Sequence, residues 1–176
     1  KQMDGQALDL PDASFDVVLS IFGVMLFPDW RAGLLEMARV TRPGGSTVVA
    51  VWKDPQGAAA HLLLSQVCTA LYPERDLPAP FKVMVELSDP HRLSTAMVAA
   101  GFRDPLIDEV THDFRLKVAA LDDAHQLFGL LPLWKTLDTG ERAAVLAEIR
   151  VRTECGRVGD ILPIPSTALI ATARHP

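Results

Sequence analysis

The chain has 176 residues, 49% hydrophobic and 22% charged, enough for one globular domain with its own core. Its 17 basic and 22 acidic residues give a formal net charge of −5 with no basic stripe, so a nucleic-acid surface is not expected. The longest nearly apolar run, residues 17–27, falls short of the roughly 18–20 residues of a membrane-spanning helix, and no signal-like segment opens the sequence. A cytoplasmic protein without a membrane span is expected.

Phe15-Asp-Val-Val-Leu-Ser-Ile-Phe22 is apolar almost throughout rather than alternating, which predicts a strand buried on both faces, as in a parallel sheet. Pro28-Asp29 then predicts a helix start, with Asp29 as N-cap and Leu34, Met37, Ala38 and Thr41 forming one core-facing stripe. Arg42-Pro43-Gly44-Gly45 ends that helix, because proline cannot continue it and glycine admits a tight reversal into a second buried strand, 47–52. Strand, helix and strand at this spacing predict a right-handed βαβ unit.

Beyond Trp52 the pattern changes. Residues 56–72 are helical in composition, 73–80 form a proline-rich loop, and 81–87 have no decided period, so 56–87 reads as a helical and loop insertion beside the sheet. Ser88-Asp89-Pro90 starts a helix with Leu93, Met97 and Ala100 on one face and Gly101 at its end, and a strand follows over 102–110, extended by 111–117. Asp138 and Glu141 have the spacing of a capping box for a long helix to about Cys155, closed by Gly156, and 166–174 is the last strand. Cys68 and Cys155 stand far apart without a CxxC pattern and read as buried thiols, and His61, His112 and His125 fall on different elements, so neither a disulfide framework nor a metal site is expected.

Three blocks lie in order: Asp4-x-x-x-Leu8-x-x-Pro11-Asp12-x-Ser14-Phe15-Asp16, the strand ending in Ser20-Ile-Phe-Gly23, and Glu36-Met-Ala-Arg-Val-Thr-Arg-Pro-Gly-Gly45. In combination they resemble the class I S-adenosylmethionine-dependent methyltransferases, and within them the small-molecule branch of ubiquinone and menaquinone C-methyltransferases. Leu87-Ser-Asp-Pro90, Ala100-Gly-Phe-Arg103 and the closing Ala-Thr-Ala-Arg174 are similar to the family's C-terminal half. The resemblance implies a Rossmann-like α/β sheet, here its C-terminal portion of strands four to seven with the last strand antiparallel, and S-adenosyl-L-methionine as cofactor. Residues 1–55 are then the cofactor-side core, 56–87 a cap over the substrate, and 88–176 the rest of the sheet, together one partial domain.

By the same resemblance Asp4 accepts the exocyclic amine of adenine, as a carboxylate that only accepts hydrogen bonds can. The backbone N–H of Gly5 or Gln6 meets a ring nitrogen. Ser20 and Ile21 approach the methionine part, and Phe22 lines the adenine or methyl-transfer chamber. The expected activity is methyl transfer to a small, partly apolar acceptor. Trp52 and Lys53 are candidate substrate contacts at the cleft edge, and His61 is a candidate for substrate binding and for the general base. Trp30, Trp134, Tyr72 and Phe81 either wall an acceptor pocket or fill cores.

Asp12, Ser14 and Asp16 are better explained by turn chemistry than by catalysis. The family's glycine-rich loop has no counterpart in the sequence, since Gly44-Gly45 is a helix-to-strand turn and Gly156-Arg-Val-Gly159 follows a helix. The resemblance thus implies that a third of a domain of about 250 residues lies upstream of Lys1. That would leave the strand from Phe15 with an unpaired apolar edge and favour a homodimer. The alternative is a non-catalytic remnant or protein-interaction module that keeps the half-sheet.

Overall fold

The computed structural model of the chain describes residues 1–78, 82–129 and 131–176. Four strands form one sheet: β1 (Phe15–Ile21), β2 (Thr41–Trp52), β3 (Arg103–Lys117) and β4 (Ile161–Arg174), in the spatial order β1-β2-β4-β3. β1 runs parallel to β2, and β4 runs antiparallel to β2 from Ser46↔Arg174 to Trp52↔Ala168. This is the expected α/β arrangement with an antiparallel closing strand. The helices are α1 (Trp30–Val40), α2 (Ala59–Leu71), α3 (Lys82–Leu87), α4 (Pro90–Ala99), α5 (Ala124–Phe128), α6 (Pro132–Thr136) and α7 (Thr139–Gly156).

Local chemistry starts the main helices where the sequence marks them. The Asp29 carboxylate accepts from Ala32 N–H at 3.1 Å and the Asp89 carboxylate from Arg92 N–H at 2.8 Å, each satisfying a backbone donor that no helical carbonyl can reach. At α7 both halves of the capping box form, Glu141 N–H to Asp138 Oδ1 and Asp138 N–H to Glu141 Oε2, each at 2.8 Å. Gly101 lies at φ +106°, the left-handed conformation that lets the chain leave α4 for β3.

Two compact units divide the chain. The first comprises Lys1–Pro55, Phe81–Val110 and Thr167–Pro176. Its core gathers Leu34 and Met37 of α1, Leu93 and Met97 of α4, Val49 and Val51 of β2 and Leu169 and Ala171 of β4. The second comprises Gln56–Pro80 and Thr111–Ser166. Leu64 and Val67 of α2, Phe128 of α5, Trp134 of α6 and Val145 and Ile149 of α7 build its core. Residues 56–78 therefore pack with 111–166, whereas α3 packs with the sheet-bearing unit.

Three expectations change. β1, an edge strand paired with β2 alone, is covered on one face only: Val18 and Ser20 are half-buried, but Val17, Leu19 and Ile21 are 55%, 60% and 60% exposed. The Arg42–Gly45 turn lies inside β2, where the register jumps from Phe15↔Thr41 to Val17↔Ser46, so the strand begins at Thr41 and loops out before resuming. Cys68 is buried, but Cys155 is exposed on the last turn of α7. The expected loop over 73–80 and the undecided segment 81–87 reach Ala79, Pro80 and Phe81, which lie outside the described residues.

Candidate functional site

In the first unit, the parallel strands β1 and β2 both end on the same side, and the chain there carries most of the residues singled out in the sequence. Ser20 pairs with Val49 and Ile21 with Ala50, and Phe22 N–H donates to Ala50 O at 3.0 Å. Phe22 leaves the strand at φ +55°, a left-handed backbone uncommon for a bulky residue and found where the surrounding structure imposes it. Its ring lies flat against Trp52, with centroids 3.9 Å apart and planes 16° apart. The fold thus joins two residues 30 positions apart into one aromatic wall at the strand ends.

The neighbours are less free than the motif suggests. Ser20 Oγ accepts from Val24 N–H at 3.0 Å and so caps the 3-10 turn over Val24–Leu26. Ile21 points outward. Lys53 Nζ is paired with Glu109, both about half-exposed, and Lys53 N–H donates to Thr167 O. His61 lies on α2 in the second unit, on an exposed position of the helix. Partial burial of its ring pushes its pKa below the ordinary imidazole value. Trp30 and Trp134 are core residues of the first and second unit respectively, and Tyr72 packs against the core of the second.

The loop 4–10 is tied to its surroundings by several hydrogen bonds. Asp4 is exposed, and its Oδ1 accepts from Gln6 N–H at 2.9 Å and from Gln6 Nε2 at 3.1 Å. These two bonds, the backbone one first, hold its carboxyl below the usual carboxylate range. No described residue bonds to Oδ2. The Gln6 backbone N–H is therefore engaged within the loop, and of the two donors expected to face a ring nitrogen only that of Gly5 is left. A Cβ at Gly5 would lie 2.3 Å from Cζ of Phe27, and one at Gly33 of α1 would lie 2.5 Å from Cδ2 of the same ring. The Phe27 ring is held between two glycines.

Downstream, Leu8 N–H donates to Glu36 Oε2 at 2.7 Å, and the Arg39 guanidinium reaches Leu8 O, Leu10 O and Asp12 while pairing with Glu36. The Arg39 hydrogen bond is the main reason the Glu36 carboxyl is driven down to about 2. Glu36 and Arg39 belong to the third sequence block, and their contacts explain physically why it accompanies the first. A groove of about 530 Å³, which the sequence did not reveal, opens beside the same helix start and is lined by Met25, Phe27, Trp30, Lys82 and Glu86 among others. The only hint was an aromatic residue directly after the N-cap. Among the described residues no three His, Cys, Asp or Glu side chains are grouped to hold a metal ion, and no helix is long and apolar enough to cross a membrane.

Residues 1–49 match the methyltransferase domain family. The demethylmenaquinone methyltransferase of Corynebacterium efficiens is 50% identical over 52 residues, 30% of this chain and 23% of that enzyme. The demethylmenaquinone methyltransferase of Deinococcus radiodurans is 35% identical over 119 residues, 57% of this chain and 46% of that enzyme. The matches thus span less than half of either relative's length. Among solved structures, a Bacillus halodurans C-125 protein provisionally classed as a methyltransferase superposes with a TM-score of 0.51 over 99% of this chain and 70% of its own, at 13% identity, a likeness of fold alone. In its three motif blocks, its mixed sheet and these matches, the chain is similar to the class I S-adenosylmethionine-dependent methyltransferases, and over residues 1–49 to their methyltransferase domain.

Proposed function

We propose that the protein transfers a methyl group from S-adenosyl-L-methionine to a small, partly apolar acceptor. The observation that carries this reading is the loop 4–6: an exposed carboxylate with one oxygen held and the other without a described partner, on a segment fastened to the start of α1. That set suits the amino edge of adenine, since Asp4 Oδ2 accepts and the Gly5 N–H is left to donate. When bound, the cofactor supplies a methyl group already activated on a sulfonium. The chain's own work is orientation and the exclusion of water.

Ser20, Ile21 and Phe22 border the cofactor in this reading, with Gly5 and Gln6 beside the adenine. Trp52 and Lys53 contact the acceptor, and the Phe22–Trp52 stack offers it an apolar wall. The demethylmenaquinone methyltransferases named above support an acceptor with an apolar body. His61 is the proposed substrate contact and base. A homodimer through the exposed β1 edge is the partner proposed for the sheet.

Calorimetric titration of S-adenosylhomocysteine tests the reading. Micromolar binding, weakened about tenfold by Asp4→Ala, is the expected result, tenfold being the worth of one charge-assisted hydrogen bond. Absence of heat would overturn it in favour of a non-catalytic interaction module.

A further inference from the structure

We propose that Gln6 is a positioning residue: its side-chain amide fixes the Asp4 carboxylate to the N-terminus of α1, so that one carboxylate oxygen is presented ready-made to an exocyclic amine. The inference rests on the adenine-reading role proposed above for Asp4 and adds a residue and a direction to it.

The hydrogen bonds determine which way the amide faces. Asp29 N–H donates to Gln6 Oε1 at 2.7 Å, and a backbone N–H has no way to accept, so the oxygen must face Asp29 and the nitrogen must face Asp4. A flipped amide would oppose two donors at one end and two acceptors at the other. Asp29 is itself the N-cap of α1, its carboxylate bonded to Ala32 N–H, so the chain of bonds runs from the helix through Gln6 into Asp4 with one fixed polarity.

Both Gln6 donors converge on Oδ1 and leave Oδ2 without a described partner. An exposed aspartate without such donors loses rotamer freedom when it meets a ligand, whereas here the ordering is already done. The backbone on either side cannot relax easily, because Gly5 abuts Phe27 and Leu8 is bonded through both its N–H and its carbonyl to Glu36 and Arg39.

Two substitutions separate this role from simple anchorage. Gln6→Ala removes both side-chain bonds. Gln6→Glu keeps an oxygen for Asp29 N–H and loses the donor to Asp4. The probes are S-adenosylhomocysteine and its analogue in which the 6-amino group is replaced by hydrogen, titrated into the protein by calorimetry, and the quantity read is the ratio of their affinities. The wild type should prefer the amino compound by about tenfold. Both Gln6 variants should retain binding of the analogue and lower the ratio to about threefold.

A ratio unchanged in both variants, or unchanged in Gln6→Glu alone, overturns the proposal, since Gln6 would then act as a loop anchor or not at all. Asp4→Ala reports on the underlying reading: it should bring the ratio to about one. An Asp4→Ala ratio still near tenfold, or no preference in the wild type, removes the adenine role of Asp4 and the proposal with it. An unchanged ratio in the Gln6 variants with the expected Asp4→Ala result removes the proposal alone.

Discussion

β1 and β2 are hydrogen-bonded neighbours with apolar runs of the same kind, yet on one and the same sheet face Ala50 of β2 is 4% exposed while its partner Ile21 of β1 is 60% exposed. β2 lies between β1 and β4, with α1 and α4 contributing to the core it enters. β1 has one partner strand and packs only its Val18 and Ser20 side inward. An apolar run therefore reports strand propensity and the side chains available for burial. How many faces are covered depends on neighbours that lie far away in sequence.

The largest effect that tests this contrast comes from truncating each sheet position. Leu169→Ala, at the centre of the core on β4, should cost about 3 kcal/mol by urea denaturation, and Leu19→Ala on the outer face of β1 less than about 0.5 kcal/mol. Equal costs would mean that the outer face of β1 is covered in solution. Next is the seam between the two strands. A Cβ at Gly45 would lie 2.8 Å from Arg42 O and 2.9 Å from Asp16 O, both backbone atoms, so Gly45→Ala should cost about 2 kcal/mol as the β1–β2 register is forced to shift.

A smaller effect concerns the clasp that fixes the entry to β1. Glu36→Gln should cost less than about 1 kcal/mol at pH 7, because the Glu36–Arg39 pair is partly exposed. Its pH dependence carries the sign: the Glu36 carboxyl titrates at about 2 in the folded protein against 4.5 unperturbed, so its contribution is full above about 4.5 and lost as the pH falls toward 2. The gap between wild type and Glu36→Gln in urea midpoint should close over that window and stay constant between pH 5 and 7. Smallest in stability is Leu19→Lys, expected within about 0.5 kcal/mol of wild type. The same change should abolish any self-association seen by light scattering, because a charged edge resists strand pairing.

The elements that could be read from the sequence are those written in local chemistry. Asp29, Asp89-Pro90 and the Asp138/Glu141 pair each act within three residues, and each helix begins where they stand. The first half of β4 was hidden by Pro163 and Pro165, which argue against a central strand; they lie outside the register with β2, which starts at Ala168. The helices α5 and α6 have five residues each and no sequence period of their own, and packing around Phe128 and Trp134 defines them. The division into two units is a matter of contacts between segments distant in sequence.

At the candidate site the same distinction holds. Asp4, Gly5 and Phe22 can be named only through the family resemblance, whereas the Gln6 link to Asp29 spans 23 positions and the Phe22–Trp52 stack depends on strand register.

The ring of Phe27, pressed between Gly5 and Gly33, turns a packing detail into an intrinsic probe. Protons on both glycine α-carbons sit within the ring current, so their magnetic resonances should be displaced from ordinary glycine positions. The Gly33 signal reports from inside α1 and the Gly5 signal from the loop. If the loop detaches, the Gly5 resonance should return to its ordinary position, so undocking can be followed in the unlabelled, ligand-free molecule one hydrogen at a time.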